Sequence, residues 1–152
     1  MADTPFRIDH LDHLVIAVAD PEATVAFYQR VLGMRRIEFG SGRLALGFGQ
    51  QKINVKRWTP ELATTPCEAT HPTRGSADLC FITTALLETV MDHPAACDVP
   101  LDGAAPVLRT GARARLRSLY FRDPDGNLIE VSNELDANHT LTAVQTDADS
   151  PD

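Results

Sequence analysis

The sequence predicts an α+β fold made from two copies of one strand–helix–three-strand module. Three observations carry this. An apolar, β-branched run at His10–Val18 leads into a well-capped helix and then three short strands. After a connection rich in proline and threonine, the second half repeats that order of elements. The two halves also correspond residue by residue: His13-Leu14-Val15-Ile16 aligns with Asp78-Leu79-Cys80-Phe81, and Lys52-Ile53-Asn54-Val55 with Leu128-Ile129-Glu130-Val131.

The elements follow in order. Residues 1–8 read as a short leader, and His10–Val18 as a strand buried on both faces for most of its length. Asp20 supplies an N-cap, Pro21 suits the first helical position, and Glu22 complements the helix dipole. Val25, Phe27, Val31 and Leu32 fall in a helical pattern that Gly33 ends. Strands are expected near 34–39, 42–48 and 51–57, separated by Gly40-Ser41-Gly42 and Gly49-Gln50. Modules of about 9–58 and 75–133 therefore flank a linker at 59–74, within a single domain of 9–133. In the second module, 77–83 is the first strand and Thr84 caps a helix that Pro94 cuts short. Val99–Leu101 and Val107-Leu108 form a broken extended piece, and Leu116–Phe121 and Leu128–Ser132 are the last strands. The stretch Asp123-Pro124-Asp125-Gly126 is a tight turn in which both acids serve the turn itself.

A chain of 152 residues, 43% hydrophobic, suits one domain with a substantial core. The formal charge of -7 is concentrated at the C-terminus, where Glu134, Asp136, Asp147, Asp149 and Asp152 stand with no Lys or Arg. The body is thus nearly neutral and has no field for nucleic acid or an anionic membrane. The tail 134–152 is expected to be disordered. Three cysteines without a CxxC spacing indicate neither a disulfide framework nor a zinc knuckle, so reduced thiols in a cytoplasmic protein are expected. No apolar run resembles a signal peptide or a membrane span.

Alternation along the strands sorts the side chains. Leu14, Ile16 and Val18 go beneath the helix, while His13, Val15 and Ala17 face the other, concave side. Asp78, Cys80 and Ile82 share the concave side in the second module with Leu128, Glu130 and Ser132, and Ser118 and Tyr120 line it. His10 is turned to the opposite face from His13. Aspartate is depleted in strands and costly when buried, so either an ion or a neighbour such as Arg109 must offset Asp78. The run Arg109–Arg117 also offers guanidinium groups for a substrate carboxylate, or is simply a solvated loop.

Two motifs, Asp12-His13-Leu14-Val15-Ile16-Ala17-Val18 with Phe27-Tyr28-x-x-Val31-Leu32-Gly33-Met34, and Tyr120–Val131 with its Asp-Pro-Asp-Gly turn, resemble the vicinal oxygen chelate superfamily. That superfamily includes glyoxalase I, extradiol dioxygenases, fosfomycin-resistance proteins and bleomycin-binding proteins. The resemblance is greatest to small glyoxalase-domain proteins. It implies two paired βαβββ modules forming a cupped mixed sheet with helices on the outside, usually as a homodimer, with a divalent metal (Mn, Fe, Ni, Mg or Zn) in the cup. Carried over by position, the implied metal ligands are His13, Asn54, Asp78 and Glu130. His13 and Glu130 match the family's habit. Asp78 stands where relatives usually have His, and Asn54 where glyoxalase I has Glu.

One imidazole, two carboxylates and an amide oxygen make a hard ligand set, suited to an ion with open positions rather than a thiolate zinc site. The expectation is an enzyme whose ion grips two adjacent oxygens of a small substrate and stabilises the anion formed next. Glu130 would be ligand and base, and Tyr120, Arg109 and Ser118 would bind substrate. Lyase or isomerase chemistry is expected ahead of ring cleavage, which usually uses two histidines and one carboxylate. The alternative is a metal-free protein of the bleomycin-resistance type that sequesters a small molecule.

Overall fold

The structure, a computed structural model, describes residues 4–135. These fall into two compact units. The first runs to Ala77 and takes in Pro124–Gly126; the second comprises Asp78–Asp123 and Asn127 onward. Each unit holds one four-stranded mixed sheet and one α-helix, so the fold is α+β with the repeated module order. No helix among the described residues is long and apolar enough to cross a membrane.

The first unit contains β1 (His13–Val18), α1 (Pro21–Leu32), β2 (Arg35–Phe39), β3 (Arg43–Phe48) and β4 (Gln51–Arg57). Helix α1 forms as its sequence dictates. The Asp20 carboxylate accepts hydrogen bonds from the backbone N–H groups of Glu22 and Ala23, and Pro21 opens the first turn. Gly33, at φ 64°, takes the left-handed conformation that lets its N–H reach back to Gln29. The face formed by Thr24, Val25, Phe27, Tyr28 and Val31 is buried. Ile16, Val18, Leu44, Leu46, Ile53 and Val55 are buried on the sheet face that the helix covers. Each fully buried aliphatic of this kind contributes roughly 2 kcal/mol.

Strand order is β1-β4-β3-β2, with β1 and β4 parallel and the other pairs antiparallel. Strand β1 starts at His13 rather than His10, and within it only Ile16, Ala17 and Val18 are buried. The residues before it meet β4 piecemeal: Gln51 donates through Nε2 to the Leu11 carbonyl, and Lys52 N–H to that of Asp12. The linker carries one short 3-10 turn at Leu62–Thr64.

The second unit contains β5 (Asp78–Ile82), α2 (Leu87–Ala96), β6 (Val107–Thr110), β7 (Arg115–Arg122) and β8 (Leu128–Leu135), in the order β5-β8-β7-β6. The parallel pairing of β5 with β8 sets Asp78 opposite Leu128 and Cys80 opposite Glu130. This is the register by which β1 meets β4, with His13 opposite Lys52 and Val15 opposite Asn54. Each module thus has the same internal strand register, as the sequence correspondence implies.

Helix α2 departs from expectation at both ends. Thr84 does not cap it; Leu86 occupies the cap position and provides no side-chain bond. The neighbouring Thr83 hydroxyl instead accepts from the Ala85 N–H. Pro94 does not end the helix, because it lies in the final turn, where only one intrahelical bond is lost. Its carbonyl is taken up by the N–H groups of Cys97 and Val99. Arg109 and Thr110 belong to β6 rather than a loop. Strand β8 runs on past the expected strand end at Ser132 to Leu135, with Arg113 bridging Glu134. The expected disorder from Asp136 onward lies outside the described residues.

The Asp-Pro-Asp-Gly turn does two jobs. Asp123 accepts from the backbone and side-chain N–H groups of Asn127, both residues being buried, which closes the turn; Gly126 sits at φ 89°. The Asp125 carboxylate, only 2% exposed, accepts from Arg74 Nε at 2.6 Å and from the Ala19 N–H at 2.9 Å. Asp125→Ala is expected to destabilise the protein by about 2 kcal/mol, since charge-assisted bonds to a buried carboxylate are lost together. Urea unfolding should show a lower midpoint at an unchanged slope.

Candidate functional site

The sheet face opposite α1 carries His13 and Val15 on β1, Lys52 and Asn54 on β4, Arg43 and Ala45 on β3, and Phe39 on β2. The register makes His13 and Asn54 diagonal neighbours, within reach of a shared ligand. Two features prepare this pair. The His13 Nδ1 lies 2.6 Å from the Asp12 carboxylate, which leaves Nε2 as the nitrogen turned away from that contact. This bond, first among its causes, holds Asp12 below the ordinary carboxylate range. Asn54 is half-buried, and its Oδ1 is shielded from solvent without a hydrogen-bond partner among the described residues.

In the second unit, the face away from α2 carries Asp78 and Cys80 on β5, Glu130 and Ser132 on β8, Ser118 and Tyr120 on β7, and Arg109 on β6. These side chains form a hydrogen-bonded chain. Ser132 Oγ donates to Glu130 Oε1 at 3.1 Å and lies 2.8 Å from Ser118 Oγ and 3.5 Å from Cys80 Sγ. Arg109 Nε donates to the Tyr120 hydroxyl at 3.0 Å, and its guanidinium lies 5.4 Å from the ring centre. Tyr120 stands directly across from Glu130 in the antiparallel register of β7 and β8. Burial, reinforced by the negative charge of Glu130, pushes the Tyr120 hydroxyl above its usual range, so it stays a proton donor. Cys80 is an exposed residue, yet Ser132 and Glu130 shelter its sulfur, and burial leads the causes that raise its thiol.

The expected residues are therefore distributed in two equivalent pairs. His13 with Asn54, and Asp78 with Glu130, occupy the same diagonal of the parallel strand pair in their respective modules. Within neither module do three His, Cys, Asp or Glu side chains converge, among the described residues. Tyr120, Arg109 and Glu130 do come together. Ser118 is fully buried, and its hydroxyl is spent on Ser132 rather than turned to solvent.

Asp78 is exposed, so the burial penalty foreseen for it does not arise, and Arg109 is committed to Tyr120 instead. His10 precedes β1, so strand alternation does not govern where it points.

Sequence reasoning missed Asp12. Alternation would set adjacent residues on opposite faces, but Asp12 lies just outside the strand and can bend round to its neighbour. The available signal was an acid immediately before a histidine at a strand start. The bracing role of Ser132, two residues beyond Glu130 on the same face, was legible as placement but not as a bond.

Comparison with known proteins places this arrangement. The sequence profile of the Glyoxalase/Bleomycin resistance protein/Dioxygenase superfamily matches residues 10–131. Virulence protein STM3117 of Salmonella typhimurium is 46% identical over 125 residues, covering 82% of this chain and 84% of that protein. An integron cassette protein from the mobile metagenome of V. cholerae is 49% identical with a TM-score of 0.79, covering 86% of this chain and 98% of the other. Lactoylglutathione lyase from Agrobacterium tumefaciens is 20% identical with a TM-score of 0.65, covering 84% of this chain and 95% of its own. The fosfomycin resistance protein FosX from Listeria monocytogenes, solved with Mn(II) and sulfate, is 20% identical with a TM-score of 0.60, covering 85% and 93%. At that identity these last two likenesses concern the fold alone.

The raised thiol of Cys80 has a measurable consequence. Its alkylation by iodoacetamide, followed by mass spectrometry from neutral to alkaline pH, should accelerate at a higher pH than for an ordinary thiol. Glu130→Gln should bring the profile part of the way back, because it removes the carboxylate charge but not the burial.

Proposed function

The chain belongs to the glyoxalase/bleomycin resistance protein/dioxygenase superfamily, and on that footing we propose that it is a metal-dependent enzyme of the vicinal oxygen chelate kind, acting on a small substrate through two adjacent oxygens by lyase or isomerase chemistry. The observation that carries this reading is the buried, unpartnered Oδ1 of Asn54. A shielded acceptor without a partner is costly, and a cation is one way to satisfy it. The clasp of His13 by Asp12 supports the same reading, since a ligating imidazole commonly gives its other nitrogen to a carboxylate. The proposed ligands are His13, Asn54, Asp78 and Glu130, a set without thiolate that suits a hard divalent ion. Bound there, such an ion would polarise the two substrate oxygens.

The chain's own groups supply the rest. Glu130, steadied by the Ser132 hydroxyl, is the proposed proton acceptor for a hydrogen on carbon next to those oxygens. Ser118 holds Ser132 in place from the buried side, which makes it a positioning residue. Tyr120 keeps its proton, and Arg109 orients its hydroxyl and adds positive charge beside it. We place the protein in the cytoplasm, where its three free thiols would stay reduced, as a homodimer.

One observation favours metal-free sequestration of a small molecule as the second reading: neither module gathers three donors, among the described residues. Elemental analysis of protein purified without chelators or a histidine tag separates the two. Stoichiometric divalent metal is expected, lost in His13→Ala and held about tenfold or more weakly in Asp12→Asn. Metal-free wild-type protein that still binds small molecules would establish sequestration instead. Assays with methylglyoxal hemithioacetal and with catechols then divide lyase or isomerase chemistry from ring cleavage, and catechols are expected to go unturned.

A further inference from the structure

The face that carries His13 and Asn54 also holds a concentration of positive charge to which no role has yet been given. Lys52 lies directly across from His13 in the parallel register, two residues before Asn54. Its ammonium sits 4.1 Å from the centre of the Phe39 ring. The Arg43 guanidinium lies 4.5 Å from the same centre. Cation–π contacts occur roughly once per 70–80 residues, so two cations on one ring exceed the background.

The backbone makes room for this. Gly40, at φ 56°, leaves clear the space where a side chain would meet the Arg43 guanidinium at 2.9 Å. Among the described residues, neither Lys52 nor Arg43 has a carboxylate within ion-pair distance. Asp12, whose charge does feel Lys52, is committed to His13. Elsewhere in the two units most basic side chains are neutralised: Arg36 by Glu22, Lys56 by Glu68, Arg74 by Asp125, Arg117 by Glu88. Two cations drawn to one ring repel each other, and an anion shared between them would remove that repulsion.

We propose that Lys52 and Arg43, stacked on Phe39, form an oxyanion subsite that selects substrates bearing a carboxylate or phosphate beside their two adjacent oxygens. The proposal rests on the reading of this face as the substrate-binding face. It deepens that reading from any small molecule with adjacent oxygens to a small organic acid or phosphate ester. Lys52 provides a point charge at the Phe39 ring, and Arg43 a planar fork at the same ring that grips an oxyanion from the hairpin side.

Calorimetric titration of the full chain with inorganic phosphate and with benzoate, which lacks adjacent oxygens, tests this without turnover or metal. Binding is expected, and it should weaken as salt rises. Lys52→Met and Arg43→Met should each lower affinity about tenfold or more, as for loss of a charge-assisted bond. Lys52→Arg should retain most of it, and Arg30→Gln, which removes a charge on α1, should leave it unchanged. Preference for benzoate assigns a carboxylate substrate and preference for phosphate a phosphorylated one. Either outcome supports the subsite. Wild-type protein that binds neither anion, or a Lys52→Met/Arg43→Met double variant that binds as well as wild type, overturns it. His13→Ala keeps the two readings apart: anion affinity retained with metal lost supports both, and anion affinity retained in a protein that never held metal leaves the subsite standing while the metal reading falls.

Discussion

The arrangement depends on one backbone constraint, the parallel pairing of the first and last strand within each module. Because β1 hydrogen-bonds to β4, and β5 to β8, residues far apart in sequence become lateral neighbours in a set register. Strand alternation then leaves no choice of face. With Leu14, Ile16, Ile53 and Val55 turned to the helix side, His13 and Asn54 must lie on the other. A slip of β1 by one residue against β4 would bury His13 beneath α1 and turn Leu14 and Ile16 to the polar face. The apolar core thereby enforces the geometry of the polar face.

Around that ladder, polar groups are braced from behind. Asp12 fixes one nitrogen of His13, and Ser118 fixes Ser132, which in turn holds Glu130. The second module invests more in this bracing than the first, since Tyr120, Arg109 and Cys80 also join the network around Glu130. In the first module Ala45 occupies the place that Tyr120 has beside the equivalent strand position, so Asn54 faces a small side chain and keeps an unpartnered oxygen. Two copies of one scaffold have diverged into a base-bearing network on one side and an amide, imidazole and cation cluster on the other.

Local rules read well where they rest on backbone periodicity. The N-cap at Asp20 and the left-handed stop at Gly33 appear where their residue types demand, and the turn at Asp123–Gly126 closes as its composition implies. They read less well where tertiary bonds compete. Thr84 has the right chemistry for a cap, but the neighbouring Thr83 hydroxyl takes the local N–H while the helix starts later. Asp125 reads as a turn former, yet its carboxylate is buried and serves Arg74 and the Ala19 backbone, partners separated from it by much of the chain. Asp78 reads as a charge in need of an offset only if it is buried, and it is exposed.

By itself the sequence determined the repeated module, the order of its strands and helix, and the faces of His13, Asn54, Asp78 and Glu130. These follow from spacing, because a strand's period and a helix's caps are properties of a few consecutive residues. Only the tertiary structure decided which polar atoms meet: Asp12 with His13, Ser118 with Ser132, Arg109 with Tyr120, and Lys52 and Arg43 with Phe39. Long side chains reach across strands, and their end points depend on neighbouring volume and on which acids are already taken. Those are facts of three-dimensional packing that no linear period encodes.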